Sequence, residues 1–421
     1  MISIKNKCDC CGCAACVQRC PKQCITLHED LEGFLYPQVD ETCCIDCGLC
    51  EKVCPILNQA DKRTPLGVYA AKNPDEEVRM QSSSGGVFTM LAERIIDEDG
   101  VVFGAGFDER WEVVHSYVET KEALALFRGS KYVQSKIGNT FQQAEFFLKN
   151  GRKVLFSGTP CQIAGLKKYL RKDYDNLLAV DFICHGVPSP GVFRTYLQEE
   201  INQVFARQGD GKNSVLHPCI PLVTESEGLE GHGMAIQSIS FRDKRNGWKK
   251  FGFALALSKA SAAGEKNTVL LSYKPLNKDL FMRGFLRDLY LRPSCHACPS
   301  KELKSGSDIT LGDWWGIDSV MPEIDDDKGI SAVTVNTNKG EGALQVINAE
   351  LYSVSYDELK KKNPAIIKSA TLPNNRKVFF ANDERTFESK IKKLGESPFI
   401  DFIHQIIPKS IKSIVKQTIK T

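Results

Sequence analysis

Cys10-Cys11-Gly12-Cys13-Ala14-Ala15-Cys16-Val17-Gln18-Arg19-Cys20-Pro21 and Cys44-Ile45-Asp46-Cys47-Gly48-Leu49-Cys50-Glu51-Lys52-Val53-Cys54-Pro55 carry one spacing twice, C-x2-C-x2-C-x3-C-P. This run wraps a [4Fe-4S] cube, and where it occurs as a pair the fourth cysteine of each run ligates the other cube. Cys10, Cys13, Cys16 and Cys54 therefore form one expected ligand set, and Cys44, Cys47, Cys50 and Cys20 the other. Three thiolates on one tight loop cap a face of the cube, and the fourth arrives after the chain has turned away. Proline after that cysteine bends the chain and donates no backbone hydrogen bond. Zinc sites and disulfide frameworks are the competing readings. Zinc patterns, however, bring two cysteine pairs or added histidines, not two identical four-cysteine runs.

Between the runs, Ile25-Thr26-Leu27 and Tyr36-Pro37-Gln38-Val39 read as short hairpin strands. Cys8, Cys11, Cys24 and Cys43 fall outside the spacing and are read as buried filler rather than ligands. Residues 1–60 thus make a small two-cluster ferredoxin domain, with a polar linker from Asn58 to Pro65. At 421 residues the chain has room for one or two larger domains behind it. Hydrophobic content of 42% and charged content of 25% are globular values. A formal charge of +3, with no basic stripe interleaved with aromatics, argues against nucleic acid as a partner. No apolar run is long enough to span a bilayer, and no secretory signal is expected. Seventeen cysteines in such a chain point to a reducing cytoplasm.

Past the linker, Val68 to Ala71 reads as a strand, and Val87 to Ile96 has the apolar spacing of an amphipathic helix. The Ser82-Ser83-Ser84-Gly85-Gly86 run before that helix is either a phosphate cradle or a plain serine cap with a flexible turn. Arg128-Gly129-Ser130-Lys131-Tyr132-Val133-Gln134-Ser135 is a second anion-binding candidate centred on Lys131, against a solvated loop lysine. From residue 137 onward, strand and helix patterns alternate, the signature of parallel βαβ units. Ser157-Gly158-Thr159-Pro160-Cys161-Gln162 and Asp181-Phe182-Ile183-Cys184-His185-Gly186 lie at strand ends, where ligands gather in open α/β sheets. Residues 207–233 read as a mobile insertion containing an unliganded Cys219. Asn246-Gly247 marks a hairpin, Leu280 to Leu291 and Leu344 to Leu351 read as helices, and Ile330 to Val335 as a last strand. From Phe399 to Ile419, isoleucines and phenylalanines recur with lysines between them. This basic amphipathic tail fits docking on the protein or a partner better than peripheral membrane contact.

Cys161, Cys184, Cys295 and Cys298 remain, two of them single at the ends of adjacent strands and two in a C-x2-C pair. Four thiolates suit a third cube; the alternative is two core cysteines plus an unrelated zinc knuckle.

Cys161 within Gly-Thr-Pro-Cys-Gln, Cys184 within Cys-His-Gly-Val-Pro-Ser, the C-x2-C pair and Ser307-Asp308-Ile309-Thr310-Leu311-Gly312-Asp313 stand in this order along the chain. With the Ser-Ser-Gly-Gly and Ser-Lys-Tyr-Val-Gln loops, they resemble the coenzyme F-420 hydrogenase/dehydrogenase beta-subunit family over residues 66 to 320. The resemblance implies flavin adenine dinucleotide (FAD) beside a [4Fe-4S] cluster ligated by Cys161, Cys184, Cys295 and Cys298. It also implies Ser83, Ser84, Gly85 and Gly86 at the flavin pyrophosphate, Lys131 beside the flavin or an anionic substrate, Thr159 lining the pocket, and Gly312 and Asp313 near the cofactor. His185 follows Cys184 as a proton donor to flavin or substrate, or as an orienter of the cluster loop. The Cys-His-Gly sequence departs from the deazaflavin-using members, so coenzyme F-420 is not assigned as substrate.

The expected fold class is α+β with α/β portions: the ferredoxin domain, then a larger mixed α/β flavin and iron–sulfur domain. Residues 66–150 are its N-terminal part, 151–370 its C-terminal part with the third cluster, and 371–421 a basic amphipathic helical tail. The expected function is a cytoplasmic iron–sulfur flavoprotein oxidoreductase. Electrons pass from a soluble donor or partner redox subunit through three clusters to FAD and an organic acceptor. Two rivals are a reductase tailoring a polysaccharide or lipid-linked intermediate and a non-enzymatic ferredoxin-type electron-transfer subunit.

Overall fold

A computed structural model describes residues 1–206, 234–259, 268–381 and 385–394. The expected insertion with Cys219 and the amphipathic segment from Phe399 onward lie outside the described residues. Strands β1 (Ile25–Glu29) and β2 (Leu35–Val39) form the antiparallel hairpin between the cysteine runs. The large domain contributes β3 (Gly67–Lys72), β4 (Val101–Phe107), β5 (Val113–Val118), β6 (Val154–Gly158) and β7 (Leu177–Phe182). A separate three-stranded antiparallel sheet follows, from β8 (Met234–Asp243), β9 (Gly252–Lys259) and β10 (Thr268–Pro275). Strands β11 (Ile309–Asp313), β12 (Ser331–Val335) and β13 (Glu350–Ser353) return to the main sheet.

That sheet has eight strands in the order β13-β3-β12-β11-β7-β6-β4-β5. Its centre, β4-β6-β7-β11, is parallel, and the flanking pairs are antiparallel. Strands from residues 66–150 (β3, β4, β5) and from 151–370 (β6, β7, β11, β12, β13) therefore share one sheet, with β3 inserted between β12 and β13. Side chains on a strand alternate between faces. Val101, Phe103, Val154, Phe156, Leu177 and Ala179 pack on one face with the helices Thr140–Lys149 and Pro160–Leu170. Val102, Leu155, Leu178 and Val180 pack on the other with Val87–Ile96 and Asn338–Gln345. Each fully buried side chain of this size contributes about 1.5–3 kcal/mol. These strands are apolar on both faces because both faces are covered.

Two helix boundaries differ from expectation. The C-terminal helix ends at Gln345, and Glu350–Ser353 pairs as an edge strand with β3 instead of continuing the helix. The helix from Leu280 stops at Phe285, and Asp288 takes a left-handed φ of 59° that turns the chain toward Cys295. Among the described residues, no helix is long and apolar enough to cross a membrane.

The cysteine module is packed into the large domain. Cys11, Cys13, Ala14, Ala15 and Val53 belong to the same core as Phe141, Phe156 and Ile163. Gly165, on the helix Pro160–Leu170, faces Cys13 so closely that an added Cβ would lie 2.8 Å from the Cys13 Cβ. Gly33 and Gly191 abut in the same way, a Cβ on Gly33 lying 2.5 Å from the Gly191 Cα. Arg376 donates two hydrogen bonds to the Glu32 carboxylate at 2.7 and 2.6 Å.

In an ordinary helix, Gly→Ala gains about 1 kcal/mol of propensity. Overpacking a tight contact costs about 1–3 kcal/mol. Gly165→Ala is expected to lower the anaerobic thermal midpoint, measured by calorimetry, because the contact with Cys13 outweighs the helix gain. A higher midpoint would show that the module does not press on this helix.

Candidate iron–sulfur and cofactor site

Cys20 of the first run lies beside the second run, and Cys54 of the second run beside the first. Cys20, Cys44, Cys47 and Cys50 line one small cavity together with Cys24. Cys16 lies within electrostatic reach of Cys10 and Cys54, and Cys13 within reach of Cys10 and Cys16. The Ile2 amide donates to the Cys50 Sγ at 3.3 Å. Cys24 sits with its Sγ 3.4 Å from that of Cys20.

Cys161, Cys184, Cys295 and Cys298 line a second cavity, between the large domain and the first cysteine run. Parallel pairing explains half of this: Gly158 of β6 stands opposite Asp181 of β7, so the loops carrying Cys161 and Cys184 leave the sheet side by side. Thr159 caps the helix that starts at Pro160. Its side chain accepts from the Gln162 amide, Gln162 reaches back to the Thr159 amide, and Thr159 Oγ1 lies 3.1 Å from the Cys161 Sγ. Cys295 sits in the short 3-10 turn Pro293–Ala297, and Cys298 ends it. The Val187 amide donates to the Cys295 Sγ at 3.4 Å. Lys301 Nζ donates to the carbonyls of Cys184 and Ala365 at 2.6 and 2.7 Å, pinning the two loops together.

Burial pushes the Cys184 and Cys298 thiols up and takes Cys295 to about 12. Cys161 is also held up, first by its hydrogen bond with Cys11 and then by burial. In this environment the thiols ionise only when a metal core takes up their charge. Among the described residues, no three histidine, cysteine or carboxylate side chains converge on the position of a single metal ion. Cys11, read from sequence as filler, lines this cavity and hydrogen-bonds to both Cys13 and Cys161. The two cysteine sets on either side of it are thus in contact.

His185 lines the same cavity. Its Nε2 pairs with Asp288 Oδ1 at 2.6 Å, and Asp288 Oδ2 accepts the Thr371 amide at 3.1 Å. The imidazole also packs edge-on against Phe285 at 5.4 Å.

The remaining site residues lie near one edge of the sheet. Strands β3, β4, β6, β7 and β11 run in one direction, so their carboxyl ends share an edge. The Ser82–Gly86 loop, reached from β3 through the helix Glu76–Gln81, is held here from several directions. Ser84 donates its hydroxyl to the Ile330 carbonyl at 2.7 Å, and Ser331 Oγ accepts the Gly85 amide at 3.0 Å. The missing side chain of Gly85 makes room for the chain's own backbone, since a Cβ would lie 2.3 Å from the Ala71 carbonyl oxygen. Gly86 has a φ of 81° at the start of the helix Val87–Ile96. The Ser83 hydroxyl meets the Ser130 amide at 2.6 Å, joining this loop to the Lys131 loop.

Lys131 Nζ donates to the Leu126 and Arg128 carbonyls at 2.9 and 3.0 Å, and desolvation draws the ammonium down to about 7. His115, near Lys131, has its Nε2 3.0 Å from the Ser157 carbonyl, and burial lowers it to about 4, so its ring is neutral. Gly312 packs under Ile183, and Asp313 pairs with Arg242.

Sequence reasoning missed the contribution of the small sheet. Arg242 is 6% exposed, and among the described residues its Nε and Nη2 have no hydrogen-bond partner. Its guanidinium lies 5.3 Å from the Trp315 ring, which stacks on Trp248 at 4.8 Å. Trp248 donates its indole N–H to the Ser83 carbonyl at 3.1 Å, and Lys244 Nζ donates to the Ser84 carbonyl at 3.1 Å. The only local signal was Asn246-Gly247, and Gly247 does take a positive φ of 94°.

Known proteins show the same kinship. A family model for the C-terminal part of the coenzyme F420 hydrogenase/dehydrogenase beta subunit matches residues 151–205 and 227–358. The model for the N-terminal part of the same beta subunit matches residues 68–141. The coenzyme F420-dependent sulfite reductase of Methanocaldococcus jannaschii is 29% identical over 167 residues, covering 38% of this chain and 25% of that protein. This chain therefore spans a quarter of the sulfite reductase's length. A ferredoxin of Mycolicibacterium smegmatis is 38% identical over 76 residues, covering 17% of this chain and 65% of the ferredoxin. A chain of the F420-reducing [NiFe] hydrogenase complex from Methanosarcina barkeri superposes with a TM-score of 0.43 at 18% identity, over 73% of this chain and 90% of that one. The chain belongs to the coenzyme F420 hydrogenase/dehydrogenase beta-subunit family, a family of iron–sulfur oxidoreductases, and carries a ferredoxin-like cysteine module in front of the matched region.

Proposed function

We propose that this protein is an iron–sulfur flavoprotein that passes electrons from a one-electron donor, through three [4Fe-4S] clusters and FAD, to an organic acceptor. The observation that carries this reading is the grouping of twelve cysteines into three sets of four, the third packed against the first. The ligand sets are Cys10, Cys13, Cys16 and Cys54; Cys20, Cys44, Cys47 and Cys50; and Cys161, Cys184, Cys295 and Cys298. The clusters supply one-electron relay and the flavin supplies hydride chemistry when they are bound.

The chain's own groups fit an anionic dinucleotide. Arg242 has two buried donor nitrogens with no hydrogen-bond partner among the described residues, and a buried donor left unpaired is costly. Ser83, Gly86 and Lys131 would meet the pyrophosphate at the start of Val87–Ile96, with Ser84 and Gly85 holding the loop in shape. Thr159, Gly312 and Asp313 would line the pocket at the carboxyl edge of the strands. His185, anchored by Asp288, would orient the cluster loop and hold a proton beside it.

Electrons would enter at the second set. Cys47 is exposed there, and neighbouring Ile45 is 58% exposed. A soluble carrier or a partner redox subunit would dock over that edge. Residues 1–60 would act as the inlet and 66–370 as the catalytic domain, into whose core Phe379, Phe387 and Ile391 of the C-terminal segment pack.

Anaerobic purification should yield about twelve irons per chain, four per cube, together with bound FAD. About four irons and no flavin would sink the proposal. Cys295→Ser should remove one cluster, seen as loss of about a third of the iron, and slow reduction of the flavin by a one-electron donor. A pH test follows from Lys131. Its ammonium sits near 7, far below a free lysine, and a bound anion favours the charged form. Binding above that pH then takes up a proton, so FAD affinity should weaken by up to about tenfold per pH unit between about 7 and 9. In Lys131→Met, flavin fluorescence titrations should show a flat profile. A flat wild-type profile would remove Lys131 from the pyrophosphate.

A further inference from the structure

Arg292 lies three residues before Cys295 and is 1% exposed. Its guanidinium reaches out of the large domain into the first cysteine run. Nε donates to the Cys10 carbonyl at 2.7 Å, and Nη2 to the Cys10 Sγ at 3.4 Å and the Leu35 carbonyl at 2.9 Å. Nη1 donates to Gln134 Oε1 at 2.8 Å, and the plane stands 4.3 Å from the Tyr36 ring. Among the described residues no carboxylate forms an ion pair with it. A fully buried cation needs a counter-charge, and its neighbours here are carbonyls, an amide, rings and a thiol.

Four thiolates around an iron–sulfur core leave a net negative charge, which would be that counter-charge. Among the described residues, the other set has no buried cation beside it. Cys47 there is exposed, and the nearby charges are Met1, paired with Asp46 and Glu51, and exposed Lys22. Solvent screens those charges, whereas a buried guanidinium bonded to sulfur acts through a low dielectric. Net charge and hydrogen bonds to sulfur are levers on cluster potential.

We propose that Arg292 sets the direction of electron flow, by raising the reduction potential of the inner cluster (Cys10, Cys13, Cys16, Cys54) above that of the outer one (Cys20, Cys44, Cys47, Cys50). One electron leaves the outer cluster, which is oxidised, and enters the inner cluster, which is reduced. No bond forms or breaks and no proton moves. The first electron comes from a low-potential one-electron carrier. The large domain thereby tunes a cluster whose ligands all lie in the small module. Arg292 is a positioning residue for charge, and this inference rests on the two-cluster reading of the module.

The test is a potentiometric titration of the full-length protein followed by electron paramagnetic resonance. Cys47→Ser, which disturbs only the outer cluster, assigns the signals. In the wild type the inner cluster should be reduced first. In Arg292→Met, electron partition should shift away from the inner cluster by about tenfold or more, which is 59 mV for a one-electron couple, with the outer potential unmoved. Arg292→Lys, which keeps the charge, should recover most of the shift. An inner cluster that is reduced last in the wild type overturns the proposal without Arg292→Met having to fold. So does an unchanged inner potential in Arg292→Met with both clusters intact. Iron and sulfide analysis separates these from failure of the cluster reading itself. Absence of either module cluster overturns both.

Discussion

Parallel pairing of β6 with β7 is the constraint on which the third cysteine set depends. Because the two strands run the same way, Gly158 and Asp181 end on one edge, and Cys161 and Cys184 follow within a few residues. Had they run antiparallel, those thiols would stand at opposite ends of the sheet, about 20 Å apart for a strand of this length. Burial on both faces maintains the pairing, since Val154, Leu155 and Phe156 of β6 are all fully buried. The same shared direction brings the Thr159, His185 and Asp313 loops to the edge where the Ser82–Gly86 loop sits.

The cysteine module meets that edge as a packed part of the domain, not a tethered appendage. Glycines at 165, 33 and 191 let backbone and ligand-bearing loops approach where any side chain would collide. Around them, Arg292 and Arg376 cross from the large domain into the module with their charges buried. Such contacts are strong only when geometry satisfies the donors: carbonyls, an amide and a thiol take the Arg292 nitrogens, and the Glu32 carboxylate takes both Nη groups of Arg376, whose Nε has no hydrogen-bond partner among the described residues. Contact between Cys11, Cys13 and Cys161 is a product of this fit.

The Ser82–Gly86 loop shows the same division of labour. Its glycines and serines suggest a flexible anion cradle, yet most of its polar groups hold it in place. Ser84 and Gly85 bond to Ile330 and Ser331, and Trp248 and Lys244 tie its carbonyls to the small sheet. What remains to meet a ligand is narrower: the N-terminus of the following helix and, among the described residues, the Arg242 nitrogens without a hydrogen-bond partner.

Local spacing in the sequence determined the two cysteine runs, the β1–β2 hairpin, the strand alternation and the turn at Gly247. Each involves residues a few positions apart, where covalent geometry limits the outcomes. The end of the helix at Gln345 and the β13 edge strand were not legible, because pairing with distant β3 outweighed a weak helical pattern. Nor were Arg292 beside Cys10, Arg242 beside Asp313, or Cys11 between two ligand sets. Those neighbours are tens to hundreds of residues apart, and only the sheet order and the docking of the module bring them together. The two cysteine runs were thus written locally, while the meeting of Cys161, Cys184, Cys295 and Cys298, and the charges and contacts around each run, were decided by tertiary packing.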